Sequence, residues 1–446
     1  MVSENSFGTR RWKRYRKYKD SGFEWLGEVP EGWDVKHLKY LSNKSLKYGS
    51  NETLVSDDRN NPRYIRITDI NSDGSLRDNT FQSLSEESAE EFLLKTGDIL
   101  FARSGATVGK TFIYDNSWGR CCFAGYLVRF RSDNKRFLPR FLIFFTNSQN
   151  YWDWISNVNI QSTIQNVSGE KYGNLSVPVP PFTEQFAITS FLDNKTAYID
   201  TLIAKKEQQI EFLNEKRGAL ISHAVTKGIN PDAMMKDSGI ELIGEVPEHW
   251  KIIKTRYLFK LINEKAPNDN NLELISVYSD IGVKPRKELE ARGNKASTTD
   301  GYTIVRKGDI IVNKLLAWMG AIGGSQYDGV TSPAYDILRK KVPLNSKFYD
   351  YLFRCGIYFP EFQRRSRGIM DMRWRLYFEE LGDIPLVYPD LIEQNKIVDF
   401  LDMYIQQIDD IGEKILVSID CLKEYRTALI SAAVTGKIDV RQEISA

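Results

Sequence analysis

The chain has 446 residues, which at roughly 150 residues per domain predicts about three folding units. Hydrophobic residues make up 41% and charged residues 27% of the sequence, so disorder, collagen and a disulfide-stapled secreted scaffold are excluded as descriptions of the whole chain. The 61 basic and 59 acidic residues give a net charge of only +2. A polyanionic partner must therefore be argued from where the charge lies.

The four cysteines and three histidines are too scattered for a metal site or a disulfide framework. Cys121 and Cys122 are adjacent, Cys355 and Cys421 stand alone, and no Cys-x-x-Cys occurs, so we expect reduced, inert thiols. The N-terminus lacks the apolar stretch of a signal peptide, and the best apolar run, residues 141–145, is far shorter than a membrane span. We expect no bound metal, no membrane contact and a cytoplasmic location.

The sequence contains an internal duplication. Residues 20–33 end in Trp-Leu-Gly-Glu-Val-Pro-Glu-Gly-Trp, and residues 237–250, which lie 217 positions later, end in Leu-Ile-Gly-Glu-Val-Pro-Glu-His-Trp. Residues 217–226 and 426–435, which close the two halves, are identical at eight of ten positions. Collinear matches of this kind indicate a repeat.

The interiors of the two halves have diverged. We call residues 43–175 the first insert and residues 263–383 the second insert; they share only scattered anchors, such as Gly-Asp-Ile at 97–99 and 308–310. A duplicated frame with two different inserts predicts two equivalent surfaces that differ in specificity.

The end of each half carries a seven-residue pattern that predicts a long helix. Each helix would run about 40 residues, or ~60 Å. Because such helices outgrow an ordinary domain, we expect them to pack on each other as a coiled coil, the alternative being that each packs on its own domain. In the second helix Ile397, Tyr404 and Ile411 predict a second seam. The main seam comprises Leu192, Ile199, Leu213 and Leu220 in the first half, and Leu401, Ile408, Ile415, Leu422 and Leu429 in the second.

Both inserts mix strand and helix patterns. Short β-rich runs alternate with turns, and aromatic-rich segments with the character of buried helices follow them. The sequence therefore predicts the α/β (α+β) class, with two globular domains separated by the long helices. The predicted strands are residues 64–67, 98–101, 125–130, 274–278, 309–312 and 334–338, and the predicted helices are residues 137–145 and 348–353.

Catalytic signatures are absent from the sequence. It contains no Gly-x-x-x-x-Gly-Lys-[Ser/Thr] phosphate loop and no Gly-x-Gly-x-x-Gly after a strand, and the glycine-rich residues 320–324 have the wrong spacing. No Asn-Pro-Pro-Phe-type tetrapeptide, nuclease carboxylate cluster or nucleophile elbow is present. We expect a protein without catalytic residues of its own.

Polar and basic residues cluster where the first insert is predicted to form loops. A turn of small residues with Arg and Lys follows a strand, so its amides could approach a phosphate while the arginine reaches a guanine edge. An amide-rich segment further on could pair with adenine. The candidate DNA-binding residues are Arg103, Ser104, Thr107 and Lys110 in the turn, and Gln161, Thr163, Gln165 and Asn166 in the amide-rich segment.

The second insert offers a different set of candidates. Residues 361–376 carry a net charge of +3, which would offset phosphate charge locally and make binding dependent on salt. The alternative for each residue is a solvated loop or a surface ion pair. Residues 1–20 carry +5, which favours a nonspecific contact or a disordered tail over base reading. The candidates are Asn313, Lys314, Arg364, Arg365, Arg367, Arg373 and Arg375.

The combination of repeated motifs resembles the DNA-specificity subunit of type I restriction–modification systems. The matching residues are the two Gly-Glu-Val-Pro openings, the Gly-Asp-Ile-Leu…Arg-Ser-Gly-Ala-Thr-Val-Gly-Lys run at 97–110, and the Ala-Leu-Ile-Ser-x-Ala-Val-Thr endings. The resemblance covers nearly the whole chain. One departure is Lys227-Gly228 where the second copy has Gly436-Lys437, a detail of the helix ends.

The resemblance implies two target-recognition domains that each read one half of a bipartite, asymmetric site in double-stranded DNA. It implies that the two helices pack antiparallel as a spacer and dock two modification subunits, with two restriction subunits completing the complex. S-adenosylmethionine, ATP and Mg²⁺ would bind those partners, and this chain would bind no cofactor. The implied boundaries are a basic arm at 1–19, recognition domains at 20–178 and 237–387, and spacer helices at 179–232 and 388–440.

Two other classes of protein stay open. A coiled-coil interaction scaffold without sequence-specific DNA reading would explain the repeat, but not the basic loops on dissimilar inserts. An autonomous nuclease or methyltransferase would need catalytic motifs that the sequence lacks. Duplex binding that weakens with salt and prefers one sequence would separate the first class from a DNA reader.

Overall fold

A computed structural model describes residues 12–71, 74–160, 166–289, 299–368 and 374–443. The chain forms two compact units, the first made of residues 1–206 and 417–446 and the second of residues 207–416. Each unit therefore contains one insert and a part of each long helix.

The first unit begins with short strands and small helices that precede the first long helix. Its strands are β1 (Tyr18–Asp20), β2 (Glu28–Pro30), β3 (Asp34–His37), β4 (Lys47–Tyr48), β5 (Arg63–Ile65), β6 (Ile99–Ala102), β7 (Thr111–Ile113), β8 (Cys121–Phe123), β9 (Leu127–Phe130) and β10 (Ser176–Val179). Its helices are α1 (Glu86–Ala89), α2 (Pro139–Thr146), α3 (Gln149–Ile160) and α4 (Gly169–Gly173), followed by the long helix α5 (Phe182–Lys227).

A four-stranded antiparallel sheet in the order β4-β9-β6-β7 forms the centre of the first insert. All four residues of β6 are buried, because the two faces of the sheet are covered by different cores. Ile99 and Phe101 lie in the larger core with helices α2 and α3, whereas Leu100 and Ala102 lie in a smaller core on the other face. This double burial explains the continuous apolar run in the sequence.

The second unit repeats this plan. The strands are β11 (Met235–Asp237), β12 (Glu245–Pro247), β13 (Lys251–Lys254), β14 (Phe259–Ile262), β15 (Ile275–Tyr278), β16 (Gly282–Pro285), β17 (Thr303–Val305), β18 (Ile310–Asn313), β19 (Ile322–Gly324), β20 (Gly329–Thr331), β21 (Tyr335–Lys340) and β22 (Pro385–Tyr388). The helices are α6 (Thr255–Leu258), α7 (Ser346–Arg354), α8 (Phe359–Arg365), α9 (Phe378–Leu381) and the long helix α10 (Leu391–Val434).

The sheet of the second insert has the order β14-β21-β18-β19, which is the same arrangement as in the first insert. Val312 pairs with Ile322 in the second sheet, just as Phe101 pairs with Thr111 in the first. Strand registers thus give an equivalence between the inserts that sequence identity alone does not provide. The mixed α/β fold with a duplicated frame is confirmed.

The two long helices have 46 and 44 residues, or about 69 and 66 Å at 1.5 Å per residue. Helix α5 begins directly after Pro180 and Pro181, since proline disfavours helix in the residue before it. Gly436 follows α10 with a φ of 72°, and a Cβ there would lie 2.3 Å from a ring carbon of Pro30. Both the left-handed backbone and this close approach require glycine.

Within each unit the parts of the two long helices pack antiparallel. In the first unit Leu192 shares a core with Leu429, and Asp200 forms an ion pair with Arg426 at 2.8 Å. In the second unit Leu401 shares a core with Leu220, and Asp409 pairs with Arg217 at 2.7 Å. In each unit the helix segments also contribute to the core of that unit, so both kinds of packing considered from the sequence occur. The predicted seam residues are all buried or half-buried: Leu192, Ile199, Leu213, Leu220, Leu401, Ile408, Ile415, Leu422 and Leu429.

The second seam predicted in α10 is wrong beyond Ile397. Tyr404 and Ile411 are 39% and 47% exposed, whereas Ile405 and Ile419 are 8% and 3% exposed. The buried positions thus follow the main seam by four residues rather than by three. Because a straight helix has 3.6 residues per turn and not the 3.5 of a heptad repeat, the fourth residue after a seam position lies closer to the seam than the third.

The basic N-terminal segment is not a free tail from Trp12 onward. The Trp12 ring contacts Phe191 with centroids 5.2 Å apart, and the Asp439 amide donates to the Lys13 carbonyl at 2.8 Å. Residues 1–11, which contain Arg10 and Arg11, lie outside the described residues.

Candidate nucleic-acid interface

In the first insert, the turn predicted to contact DNA, residues 103–110, connects β6 to β7, and we call it the contact turn. A single 3₁₀ turn over Gly105–Thr107 lies within it, and the Gly109 amide donates to the Ala102 carbonyl at 3.1 Å. Gly109 has a φ of 87°, and a Cβ there would lie 3.0 Å from the Trp152 ring. The turn is therefore held close to helix α3.

Arg103 stacks on an aromatic ring instead of extending into solvent. Its guanidinium carbon lies 4.7 Å from the Tyr48 ring centroid, and the Tyr48 hydroxyl accepts a hydrogen bond from the Gly169 amide at 2.7 Å. The Arg103 Nε is buried and has no hydrogen-bond partner among the described residues. A buried donor without an acceptor costs free energy, so this group favours an incoming acceptor.

The structure brings one amide candidate next to this turn. Asn166 forms a β-bridge with Ser104, and the Val167 amide donates to the Arg103 carbonyl at 2.8 Å. The Asn166 Oδ1 is buried without a partner in the described part of the chain. The turn and the amide-rich segment thus meet, which sequence spacing did not predict. The other three amide-segment candidates, Gln161, Thr163 and Gln165, lie outside the described residues.

Thr107 and Lys110 line a cavity of about 440 Å³ in the first insert. Its other walls come from the loop after β5 and from the junction of α2 and α3. Reasoning from the sequence missed these residues, since no motif distinguishes them from an ordinary solvated loop. The missed polar and aromatic residues are Asn71, Arg77, Asn147 and Trp152.

In the second insert, Asn313 and Lys314 bind groups within the protein. Asn313 is 7% exposed and its Oδ1 accepts from the Leu315 amide at 3.2 Å. The Lys314 Nζ binds Asp336 Oδ1 at 3.1 Å and the Pro333 carbonyl at 3.3 Å. Burial raises the pKa of Asp336, and the nearby Lys314 ammonium partly offsets this. Their role in DNA contact stays a prediction.

The basic patch of the second insert is largely paired. Arg364 and Arg365 both bind Glu361, at 2.7 and 2.5 Å. Arg367 pairs with Glu380, which lies outside the basic window. Arg375 is exposed, and no acid pairs with it within the described ranges. Arg373 lies outside those ranges.

Arg367 and Arg375 face each other on a two-stranded bridge. The Arg367 amide donates to the Arg375 carbonyl at 3.0 Å, and the reverse bond measures 2.9 Å. The structure thus brings these two candidates together. Paired charges contribute less to the field than the sequence sum indicates, so the effective charge of the described patch is lower than its sequence suggests.

A buried ion pair lies at the start of β6, the strand that leads to the contact turn in the first insert, and at the start of the equivalent strand β18 in the second insert. Asp98 binds Arg131 at 2.5 Å in the first, and Asp309 binds Arg339 at 2.7 Å in the second. Asp98 and Asp309 follow the glycine of the repeated Gly-Asp-Ile anchor. This anchor therefore fixes the start of the strand that carries the contact turn.

Among the described residues, no group of three or more His, Cys, Asp and Glu side chains could hold a metal ion. No helix of the described part is long and apolar enough to cross a membrane. The four cysteines are free thiols.

Comparison with known proteins shows which domain family and which folds this chain resembles. Residues 30–212 match the family of the type I restriction modification DNA specificity domain. One similar solved structure comes from work on the structural basis of complex assembly and conformational transition of the type I R-M system. The TM-score to it is 0.66 at 16% sequence identity, and the match covers 91% of this chain and 98% of that chain. The TM-score to the HsdS subunit from Thermoanaerobacter tengcongensis is 0.55 at 15% identity, covering 92% and 98%.

Curated proteins with related sequences carry the same description. A putative type I restriction enzyme MjaX specificity subunit of Methanocaldococcus jannaschii is 26% identical over 264 residues, which cover 56% of this chain and 59% of that protein. The MjaVIII specificity subunit of the same organism is 24% identical over 243 residues, covering 54% and 52%. The chain thus spans little more than half the length of these relatives. These relatives are described as type I restriction enzyme specificity subunits, and this chain is similar to them in sequence and in fold.

Proposed function

We propose that this chain is the DNA-specificity subunit of a type I restriction–modification complex, in which each insert reads one half of a bipartite, asymmetric site in double-stranded DNA. The observation that carries the proposal is the duplicated sheet frame with different side chains at equivalent positions. Arg103 directly follows β6, and Lys314 directly follows the equivalent strand β18. The Arg103 carbonyl accepts a hydrogen bond from the Val167 amide, and the Lys314 carbonyl accepts one from the Leu376 amide. Equal frames with unequal contact residues suit two different half-sites.

The long helices determine the gap between the half-sites in this proposal and dock two modification subunits. Large apolar side chains left exposed on a helix support such docking, because an isolated soluble chain gains nothing from exposing them. In the first unit these are Phe186, Tyr198, Val417 and Tyr425, and in the second unit they are Phe212, Leu391, Ile392, Met403, Tyr404, Ile411 and Leu416.

The chemistry belongs to the partners in this proposal. The modification subunits would bind S-adenosylmethionine and methylate adenine, and two restriction subunits would use ATP and Mg²⁺ for translocation and cleavage. This chain would contribute recognition and assembly, without a catalytic residue or a cofactor of its own.

Genome-wide mapping of methylated adenines tests the proposal. The chain is expressed with its modification subunit in cells that lack other adenine methylation, and the marked sites are aligned. Two short words separated by a fixed unread gap are expected. An uninterrupted word, or no sequence preference, would instead favour a coiled-coil scaffold without DNA reading.

A further inference from the structure

The cavity in the first insert has a polar floor. The Thr111 and Thr146 hydroxyls lie 2.7 Å apart, and Thr146 also donates to the Ile143 carbonyl at 3.0 Å. Because the Thr146 hydroxyl hydrogen is donated to that carbonyl, the hydrogen bond between the two hydroxyls runs from Thr111 to Thr146. The Thr111 oxygen can then still accept a hydrogen bond. The floor is thus a preformed hydroxyl pair, and the Trp152 ring forms one wall.

Two cations border the same cavity without an acidic partner in the described ranges. Arg77 and Lys110 are both exposed. The Arg77 Nε donates to Asn71 Oδ1 at 2.8 Å, and the Asn71 Nδ2 donates to Ser75 Oγ at 2.9 Å. The guanidinium is therefore oriented by its Nε while its terminal nitrogens stay available to an anion.

The second insert has a different chemistry at the equivalent positions. The strand register places Ile322 at the position of Thr111. Trp152 lies beside Gly109 in the first insert, and Phe359 lies beside Gly320 in the second, so Trp152 and Phe359 are equivalent. Counting back six residues from each places Phe353 at the position of Thr146. Ile322 and Phe353 are both fully buried.

Of the two cations, Lys110 also lacks an equivalent there. Ala321 takes the position of Lys110. Arg354, at the position of Asn147, binds the Asp280 carbonyl at 3.1 Å and lies 3.9 Å from Asp350. The polar floor and Lys110 are therefore features of the first insert and not of the shared frame.

We propose that this cavity anchors the sugar–phosphate backbone of DNA, and that the second insert lacks this anchor. The proposal rests on the proposed function, whose first half-site it would hold. A concave site of about 440 Å³ accepts a part of the ligand that protrudes from its surface. In a DNA duplex the sugar–phosphate backbones protrude, whereas the base edges lie at the bottom of the grooves. Arg77 and Lys110 bind the phosphodiester, and the Trp152 ring and the threonine hydroxyls face the deoxyribose.

The test measures duplex binding by the full chain with its modification subunits. Arg77→Gln and Lys110→Gln are compared with Lys135→Gln, an exposed lysine of the same insert that does not line the cavity. Two labelled duplexes are used, one with the mapped site and one with its first half scrambled, each at several salt concentrations.

Each cavity variant is expected to weaken both duplexes by the same factor, about fivefold at moderate salt, and to reduce the slope of log K against log salt by about 0.9. Lys135→Gln should change neither quantity. The double variant Thr111→Ile with Thr146→Phe, which copies the second insert, should also weaken both duplexes equally.

Two results would overturn the anchor. If Arg77→Gln or Lys110→Gln changes the preference between the two duplexes, the cavity reads bases. If both variants behave like Lys135→Gln while the unaltered chain binds its site normally, no DNA occupies the cavity and the proposed function survives. Failure of the unaltered chain to prefer its site overturns the proposed function and the anchor together.

Discussion

At the scale of single residues, the candidate contact side chains differ most in whether the protein itself supplies a partner. The Arg103 Nε and the Asn166 Oδ1 are buried without one in the described part of the chain, whereas Lys314 is bound to Asp336. A buried polar group without a partner is costly, and a ligand that supplies one recovers that free energy. Arg103 and Asn166 are therefore stronger candidates for DNA contact than Lys314.

The ion pair between Asp98 and Arg131 supports the strand that leads to the contact turn. Asp98 is 1% exposed, so Asp98→Ala leaves the Arg131 guanidinium unpaired in a largely buried place. We expect a loss of about 3–5 kcal/mol in the free energy of unfolding, measured by urea denaturation. Glu86→Ala, which breaks the exposed pair with Arg120, is the control and should cost about 1 kcal/mol or less. Equal losses would mean that the buried pair contributes no more than a surface pair.

The adjacent thiols of Cys121 and Cys122 should be unreactive in the native protein. Burial raises the pKa of each thiol to about 12, because desolvation disfavours the thiolate. At pH 8 the reactive thiolate is then about one part in ten thousand, and it increases as the pH rises. Iodoacetamide with mass spectrometry should leave both unlabelled at pH 8 in the folded protein and label both in urea. Rapid labelling of the folded protein would contradict this.

At the scale of elements, the main row of the seam between the long helices was predicted from the sequence, and the second row predicted for α10 was wrong beyond Ile397. The row from Leu401 to Leu429 was evident because apolar residues recur every seven positions. The choice between the positions three and four residues later depends on how the helix turns against its partner, and both Tyr404 and Ile405 are apolar enough to qualify. Packing decides for Ile405.

Truncation of single side chains in α10 tests this seam. Leu401 is fully buried, so Leu401→Ala should reduce the free energy of unfolding by about 2–5 kcal/mol. Tyr404→Ala removes a larger side chain that is 39% exposed, and it should cost about 1 kcal/mol or less in the isolated chain. Thermal or urea unfolding of both variants measures the difference. A larger loss for Tyr404→Ala would restore the seam first expected from the sequence.

At the scale of the whole molecule, the sequence predicts the frame far better than it predicts the site. The repeat, the two long helices and the mixed α/β inserts follow from periodicity and from matches between the halves. The pairing of Arg367 with Glu380, and of Ser104 with Asn166, joins residues that only the folded chain brings together. Asn71 and Arg77 carry no motif, so the cavity was beyond prediction.

Independent reading by the two inserts is tested most directly by exchanging one of them. Residues 43–175 are replaced by the matching segment of a specificity subunit with a different target, and methylated adenines are mapped with the same modification subunit. Since the second insert and the helices are unchanged, only one of the two half-words should change, while the other half-word and the gap stay as they were. A change in both half-words, or in the gap, would contradict independent reading.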